Sequence, residues 1–182
     1  MNIVGKLKNG YVQVYTGNGK GKTTAAVGLA VRAAGNEYTV YMVQFLKGSK
    51  TGELESAKKL APFFNIFRFE TKRGFFWTLN DEEKIELKKE IQKAYEFCME
   101  ALKEEKCDIL IMDEVMGALS NGLISEEQLL ELIDSKPNNI ELILTGRNVP
   151  EAIIDKANLV TEMKDIKHYF NDGVPSREGI EY

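Results

Sequence analysis

The residues with the plainest chemistry lie in one run, Thr16-Gly17-Asn18-Gly19-Lys20-Gly21-Lys22-Thr23-Thr24, between a β-rich stretch and a helical one. Its glycines free the backbone to turn several N–H groups toward a single anion. A helix starting near Lys22 adds the positive end of its dipole. Lys22 supplies a compact cation for terminal phosphates, and the Thr23 hydroxyl suits a magnesium ion, as in the phosphate-binding pattern G-x-x-x-x-G-K-[ST]. That pattern wants glycine five residues before Gly21, where Thr16 stands; Gly17 comes one position late. The bland alternative is a glycine-rich strand–helix turn that binds nothing, and Gly-Lys-Thr-Thr in this setting argues against it.

A second candidate is the acidic pair Asp113-Glu114, which follows the apolar run Ile109-Leu110-Ile111-Met112. A strand there releases both carboxylates at its carboxyl end. One can hold magnesium directly or through water, and the other can orient it or fix Thr23. Alone, such a pair reads as solvated acids; beside a phosphate loop it reads as the other half of a nucleotide site. Arg147 follows Thr145-Gly146 at a further strand end, a good place for polyphosphate contact.

Elements must place these groups together. Period-two and continuous apolar runs predict strands at 11–15, 39–45, 65–69, 109–112, 141–145 and 159–163. Helical patterns cover 22–34, 81–104, 125–133 and 149–157. In the longest, Leu87, Ile91, Ala94, Cys98 and Leu102 step by three or four to mark one face, and Asn80 with Glu83 forms a capping box. Strands separated by helices imply an α/β fold: a mostly parallel sheet with helices on both faces and ligands at the strands' carboxyl ends. The Gly- and charge-rich stretch from 168 to 182 reads as an ordered or mobile tail.

With 182 residues, 43% hydrophobic and 29% charged, the chain suits one globular domain, 1–182, with a short N-terminal segment at 1–10 and a C-terminal tail at 165–182. No run of about 18 apolar residues predicts a membrane span, and the start lacks the apolar core of a signal peptide. Cys98, Cys107 and the single His168 have no zinc spacing; reduced thiols in a cytoplasmic protein fit better. A net charge of -4 argues against nucleic acid as partner and against a DNA motor.

The phosphate loop with Ala25-Ala26, Val43-Gln44-Phe45-Leu46-Lys47-Gly48, Gly74-Phe75-Phe76-Trp77, Asp113-Glu114 and Thr145-Gly146-Arg147 together resemble the ATP:corrinoid adenosyltransferases of the CobA/CobO/BtuR type. The closing stretch, Thr161 to Lys164, Lys167-His168-Tyr169-Phe170, Gly173 and Gly179-Ile180-Glu181-Tyr182, is similar to that family's C-terminal pattern. The resemblance covers almost the whole chain. It implies a RecA-like P-loop NTPase fold, a homodimer, and transfer of the 5′-deoxyadenosyl group of ATP to the Co(I) of a reduced corrinoid, with release of triphosphate. Mg2+ or Mn2+ is implied as cofactor, and a flavodoxin-like or flavin reductant as partner. ATP would be bound by Gly17, Asn18, Gly19, Lys20, Gly21, Lys22, Thr23, Thr24, Arg32 and Arg147, and the metal by Thr23, Asp113 and Glu114. Lys22, Phe75 and Trp77 would act in catalysis, and Phe75, Trp77 and His168 would meet the corrinoid.

Phe63, Phe64, Phe67 and Phe69 read instead as core, Arg32 equally as a solvated helix cation, and Lys47 and Glu53 as surface charge. Two features depart from the family: Gly117 stands where an aromatic is frequent, and many members carry a longer segment before the first strand, which helps cover the site. Other readings are a P-loop small-molecule kinase or ATPase, and a non-catalytic nucleotide-dependent corrinoid-binding module.

Overall fold

A computed structural model describes residues 7–71 and 74–182. Six parallel strands form one sheet: β1 (Val12–Thr16), β2 (Val40–Gln44), β3 (Phe64–Phe67), β4 (Ile109–Asp113), β5 (Glu141–Thr145) and β6 (Leu159–Glu162), ordered β3-β2-β4-β5-β1-β6. The helices are α1 (Lys22–Ala34), α2 (Gly52–Lys59), α3 (Asp81–Lys103), α4 (Val115–Ser120), α5 (Glu126–Ser135) and α6 (Glu151–Lys156). Single 3-10 turns occupy Phe76–Thr78 and Tyr169–Asp172.

Side-chain alternation along the strands divides the core in two. Ile109 and Ile111 of β4 pack on one side with Ala26, Ala30, Ala33 and Ala34 of α1, whose small side chains let the helix lie close to the sheet. Leu110 and Met112 face the other way, among Leu87, Ile91, Cys98 and Leu102 of α3 and Leu129 and Leu132 of α5. All five residues of β4 are buried, as a central parallel strand requires. The α3 capping box forms, with Asn80 accepting from the Glu83 N–H and Glu83 returning the bond. Burial pushes both thiols up, that of Cys107 to about 12, so neither is a ready nucleophile. Among the described residues no helix is long and apolar enough to cross a membrane.

Two helices lie where no periodicity announces them. In α2 only Ala57 is buried, so the sequence carries no apolar stripe. In α4 the six residues continue the apolar run of β4, and only the left-handed turn at Glu114 (φ 61°) separates strand from helix. The Phe assignments hold: Phe64 is fully buried, and Phe67 and Phe69 pack their rings on Phe97 at 4.6 and 5.2 Å. The tail is ordered by a clasp in which the Tyr169 hydroxyl donates to Glu181, and Arg177 both pairs with Glu181 at 3.1 Å and lies 5.0 Å over the Tyr169 ring.

Candidate functional site

The displaced glycine of the phosphate loop has a structural cause. Thr16 is still strand, registered against Glu162 of β6, so the chain cannot turn there. Gly17 makes the turn at φ 96°, and a Cβ on it would stand 2.3 Å from the Met163 carbonyl oxygen. The Gly19 N–H donates to that same oxygen at 2.8 Å. The loop is therefore braced from outside by the chain leaving β6. Gly21 (φ 125°) then opens α1. Lys22 lies almost wholly buried, with Nζ donating to the carbonyls of Gly17 and Gly19 at 2.6 and 2.8 Å. Burial, followed by the Arg147 guanidinium, holds its pKa below the usual lysine value, against the pull of Glu114 and Asp113.

Opposite, Asp113 ends β4 with no exposed surface. Its Oδ1 accepts from the hydroxyls of Thr23 and Thr145, both at 2.8 Å. Its Oδ2 accepts from Gln44 Nε2 at 3.2 Å and Lys47 Nζ at 3.3 Å. Four donors fill its acceptor capacity, which suits a fixed anchor better than a base. Burial and then the Asp113 charge raise the pKa of Glu114, opposed by Lys22, Lys47 and Arg147. Lys47 also lies 3.4 Å from Glu53. Burial alone would raise the Glu53 pKa, but hydrogen bonds, led by one from Gln44, and the Lys47 charge bring it to about 2. Arg68 fastens this group from behind, donating to Gln44 Oε1 at 2.7 Å and to the Thr51 hydroxyl at 2.6 Å.

A cavity of about 950 Å³ opens between these groups and the tail. Asn18, Gly19, Lys20, Gly21, Lys22, Thr23, Thr24, Lys47, Glu53, Glu114 and Arg147 form one side. His168, Phe170, Ile180, Glu181 and Tyr182 line the other. Arg147 reaches back across the loop, its Nη2 3.4 Å from the Asn18 carbonyl. His168 Nδ1 accepts from the Phe170 N–H at 3.0 Å. Asp113 lies behind the floor and Gly17 in the turn.

Three expected site residues stand apart from this cavity. Arg32 is exposed in the last turn of α1, ten residues beyond Lys22 and so about 15 Å along the helix. Its expected contact with the nucleoside finds no support in this placement, because α1 carries it to the other edge of the sheet. Phe75 and Trp77 are 69% and 76% exposed, stacked on each other at 4.8 Å and nearly parallel, in the segment between β3 and α3. Arg73, which precedes them, lies outside the described residues. The sequence reading missed Thr145 as an individual group, and it missed Arg68. The signal for Thr145 was a hydroxyl closing an apolar strand; for Arg68 there was none.

The arrangement can hold a polyphosphate on backbone amides and Lys22 and offers oxygen donors to a hard cation. Comparison with known proteins bears on what it does. The family model described as ATP:corrinoid adenosyltransferase BtuR/CobO/CobP matches residues 8–182. A corrinoid adenosyltransferase from a Sinorhizobium species is 35% identical over 178 residues, 96% of this chain and 81% of that protein. One from Escherichia coli K12 is 32% identical over 177 residues, covering 96% and 87%. Among solved structures, the flagellar accessory protein FlaH from Methanocaldococcus jannaschii superposes with TM-score 0.52 at 16% identity, over 86% of this chain and 72% of that one. That likeness concerns the fold, which is the expected RecA-like P-loop one.

Proposed function

This chain belongs to the ATP:corrinoid adenosyltransferase family, and from that premise we propose that its cavity presents ATP to the Co(I) of a reduced corrinoid and releases triphosphate. The Co(I) electron pair attacks the ribose C5′, the cobalt–carbon bond forms, and the C5′–O bond breaks with its electrons leaving on triphosphate. Co(I) is itself the nucleophile, so the protein need supply no general base. What it must supply is stabilisation of the leaving polyphosphate. The observation that carries this reading is the pairing, side by side at the start of α1, of Lys22 held on the phosphate-loop carbonyls with Thr23 hydrogen-bonded to Asp113.

Thr23, Asp113 and Glu114 fit a magnesium ion: Glu114 and the Thr23 hydroxyl offer hard oxygens, and Asp113, its own acceptor sites taken, would hold Thr23 in place or meet the ion through water, beside the substrate phosphates that this ion prefers. When bound, magnesium would neutralise charge on the departing triphosphate. Lys22 would leave the loop carbonyls for the phosphate oxygens, and the loop amides would hold the chain in place. Phe75 and Trp77 would cover the lower face of the corrinoid. Exclusion of the lower axial ligand there would make Co(II) easier to reduce by a flavodoxin-like or flavin donor. A cytoplasmic homodimer is the setting this reading implies.

Anaerobic incubation with cob(I)alamin and magnesium-ATP tests it. Light-sensitive adenosylcobalamin and triphosphate should form in equal amounts. ADP or phosphate without a cobalt–carbon bond would assign the chain to phosphoryl transfer instead.

A further inference from the structure

We infer that Thr145 is a positioning residue for the metal carboxylates, acting through hydrogen bonds at both Asp113 and Glu114. This rests on the reading of that acidic pair as the magnesium site. Thr145 ends β5, the strand lying between β1, which leads into the phosphate loop, and β4, which carries the acids. Its side chain has no exposed surface. The hydroxyl donates to Asp113 Oδ1 at 2.8 Å and accepts the Glu114 N–H at 2.8 Å.

Those two bonds fix different things. The first shares the oxygen that Thr23 also uses, so the Asp113 carboxylate is held in one rotation with Oδ1 toward α1. The second satisfies a backbone N–H that the left-handed turn at Glu114 leaves without a helix or strand partner. That turn ends β4 and starts α4, and it aims the Glu114 side chain at the cavity. Gly146 completes the arrangement. Its φ of 137°, with a hypothetical Cβ only 2.7 Å from the Met116 side chain, lets the chain bend directly after Thr145. Arg147 is thereby delivered to Asn18 of the phosphate loop. One short segment thus sets the orientation of both carboxylates on one side and meets the phosphate loop on the other.

Calorimetric titration of ATP, with and without Mg2+ and without corrinoid, tests this in wild type, T145V and T145S. Valine keeps the volume and removes donor and acceptor; serine keeps both. In wild type, magnesium should tighten ATP binding. In T145V that enhancement should fall about five- to tenfold, the loss of roughly one net hydrogen bond. Metal-free ATP affinity should stay within about threefold, because the loop and Lys22 are untouched. T145S should restore the magnesium effect. A merely structural role would lower stability in T145V and leave the magnesium enhancement unchanged, and that result overturns the inference. If T145V does not fold, T145C takes its place, with a weaker donor in nearly the same volume, and the same two outcomes decide. A wild-type protein whose ATP affinity ignores magnesium would overturn the acidic-pair reading itself, whatever Thr145 does.

Discussion

Lys22 is buried beside a guanidinium, yet its ammonium is anchored by two loop carbonyls that any incoming phosphate can outbid. A cation kept partly desolvated interacts more strongly with a polyphosphate than one in bulk water. Lys22→Ala is therefore expected to lower kcat for adenosyl transfer about 10²- to 10³-fold, the range seen when one stabilising donor is removed. Single-turnover adenosylcobalamin formation from cob(I)alamin measures it, and near-full turnover would refute the role. Glu114 carries the opposite sign. Its folded pKa is raised by burial and by Asp113, so the stability of the protonated form is present below the ordinary glutamate range and lost as pH rises through the folded value. At neutral pH the charged group costs stability for the sake of the site. Glu114→Gln should raise Tm by a few degrees at pH 7, with the gain vanishing near pH 4, while magnesium no longer tightens ATP binding. Thermal unfolding across that pH range checks the sign, and a lower Tm at pH 7 would contradict it.

The phosphate loop keeps its shape because a neighbouring element leaves no other, and this too has a test. Gly17→Ala would place a Cβ against the Met163 carbonyl in a left-handed conformation. The expected cost is about 1–3 kcal/mol or more from strain, with weakened ATP binding as the loop separates from the end of β6. Tm and the KM for ATP report the two effects, and unchanged values for both would show the bracing to be incidental. The same contact shows where sequence reading reached and where it stopped. All six strands, helices α1, α3, α5 and α6, and most of the cavity-lining loop residues were legible, because apolar patterning, capping residues and glycine–lysine spacing are local signals. The late glycine could be seen but not explained, since its cause is Met163, far along the chain. Helix α2, with one buried residue, had no stripe to read. Arg32 was legible as a residue of the last turn of α1, and its nucleoside contact came from the family pattern alone, not from any local signal.

At the scale of the whole molecule, every strand is parallel, so the loops after β1, β3, β4 and β5 share one edge of the sheet. The phosphate loop follows β1, and the stacked Phe75–Trp77 pair follows β3, four strands away. At about 4.8 Å per strand the ends of β3 and β1 themselves stand roughly 19 Å apart. The proposed function would set a nucleotide, held by its phosphates, at the phosphate-loop side and a macrocycle at the aromatic side. Under the proposed function, the two stacked and exposed rings are the face offered to the corrinoid. Their exposure also makes the test clean, since removing an exposed side chain changes stability by about ±0.5 kcal/mol. Trp77 is the only tryptophan in the chain, so its fluorescence reports on that face alone. Cobalamin should quench it in a saturable way, and magnesium-ATP alone should not. Trp77→Ala should keep the wild-type Tm and slow adenosylation from cob(II)alamin under enzymatic reduction at least about tenfold more than from prereduced cob(I)alamin. The asymmetry follows because an apolar face that excludes the lower ligand assists the electron transfer, whereas Co(I) needs no such help. Equal losses in the two assays would mean that the aromatics bind the corrinoid without tuning its cobalt, and unquenched fluorescence would move the corrinoid to another face altogether.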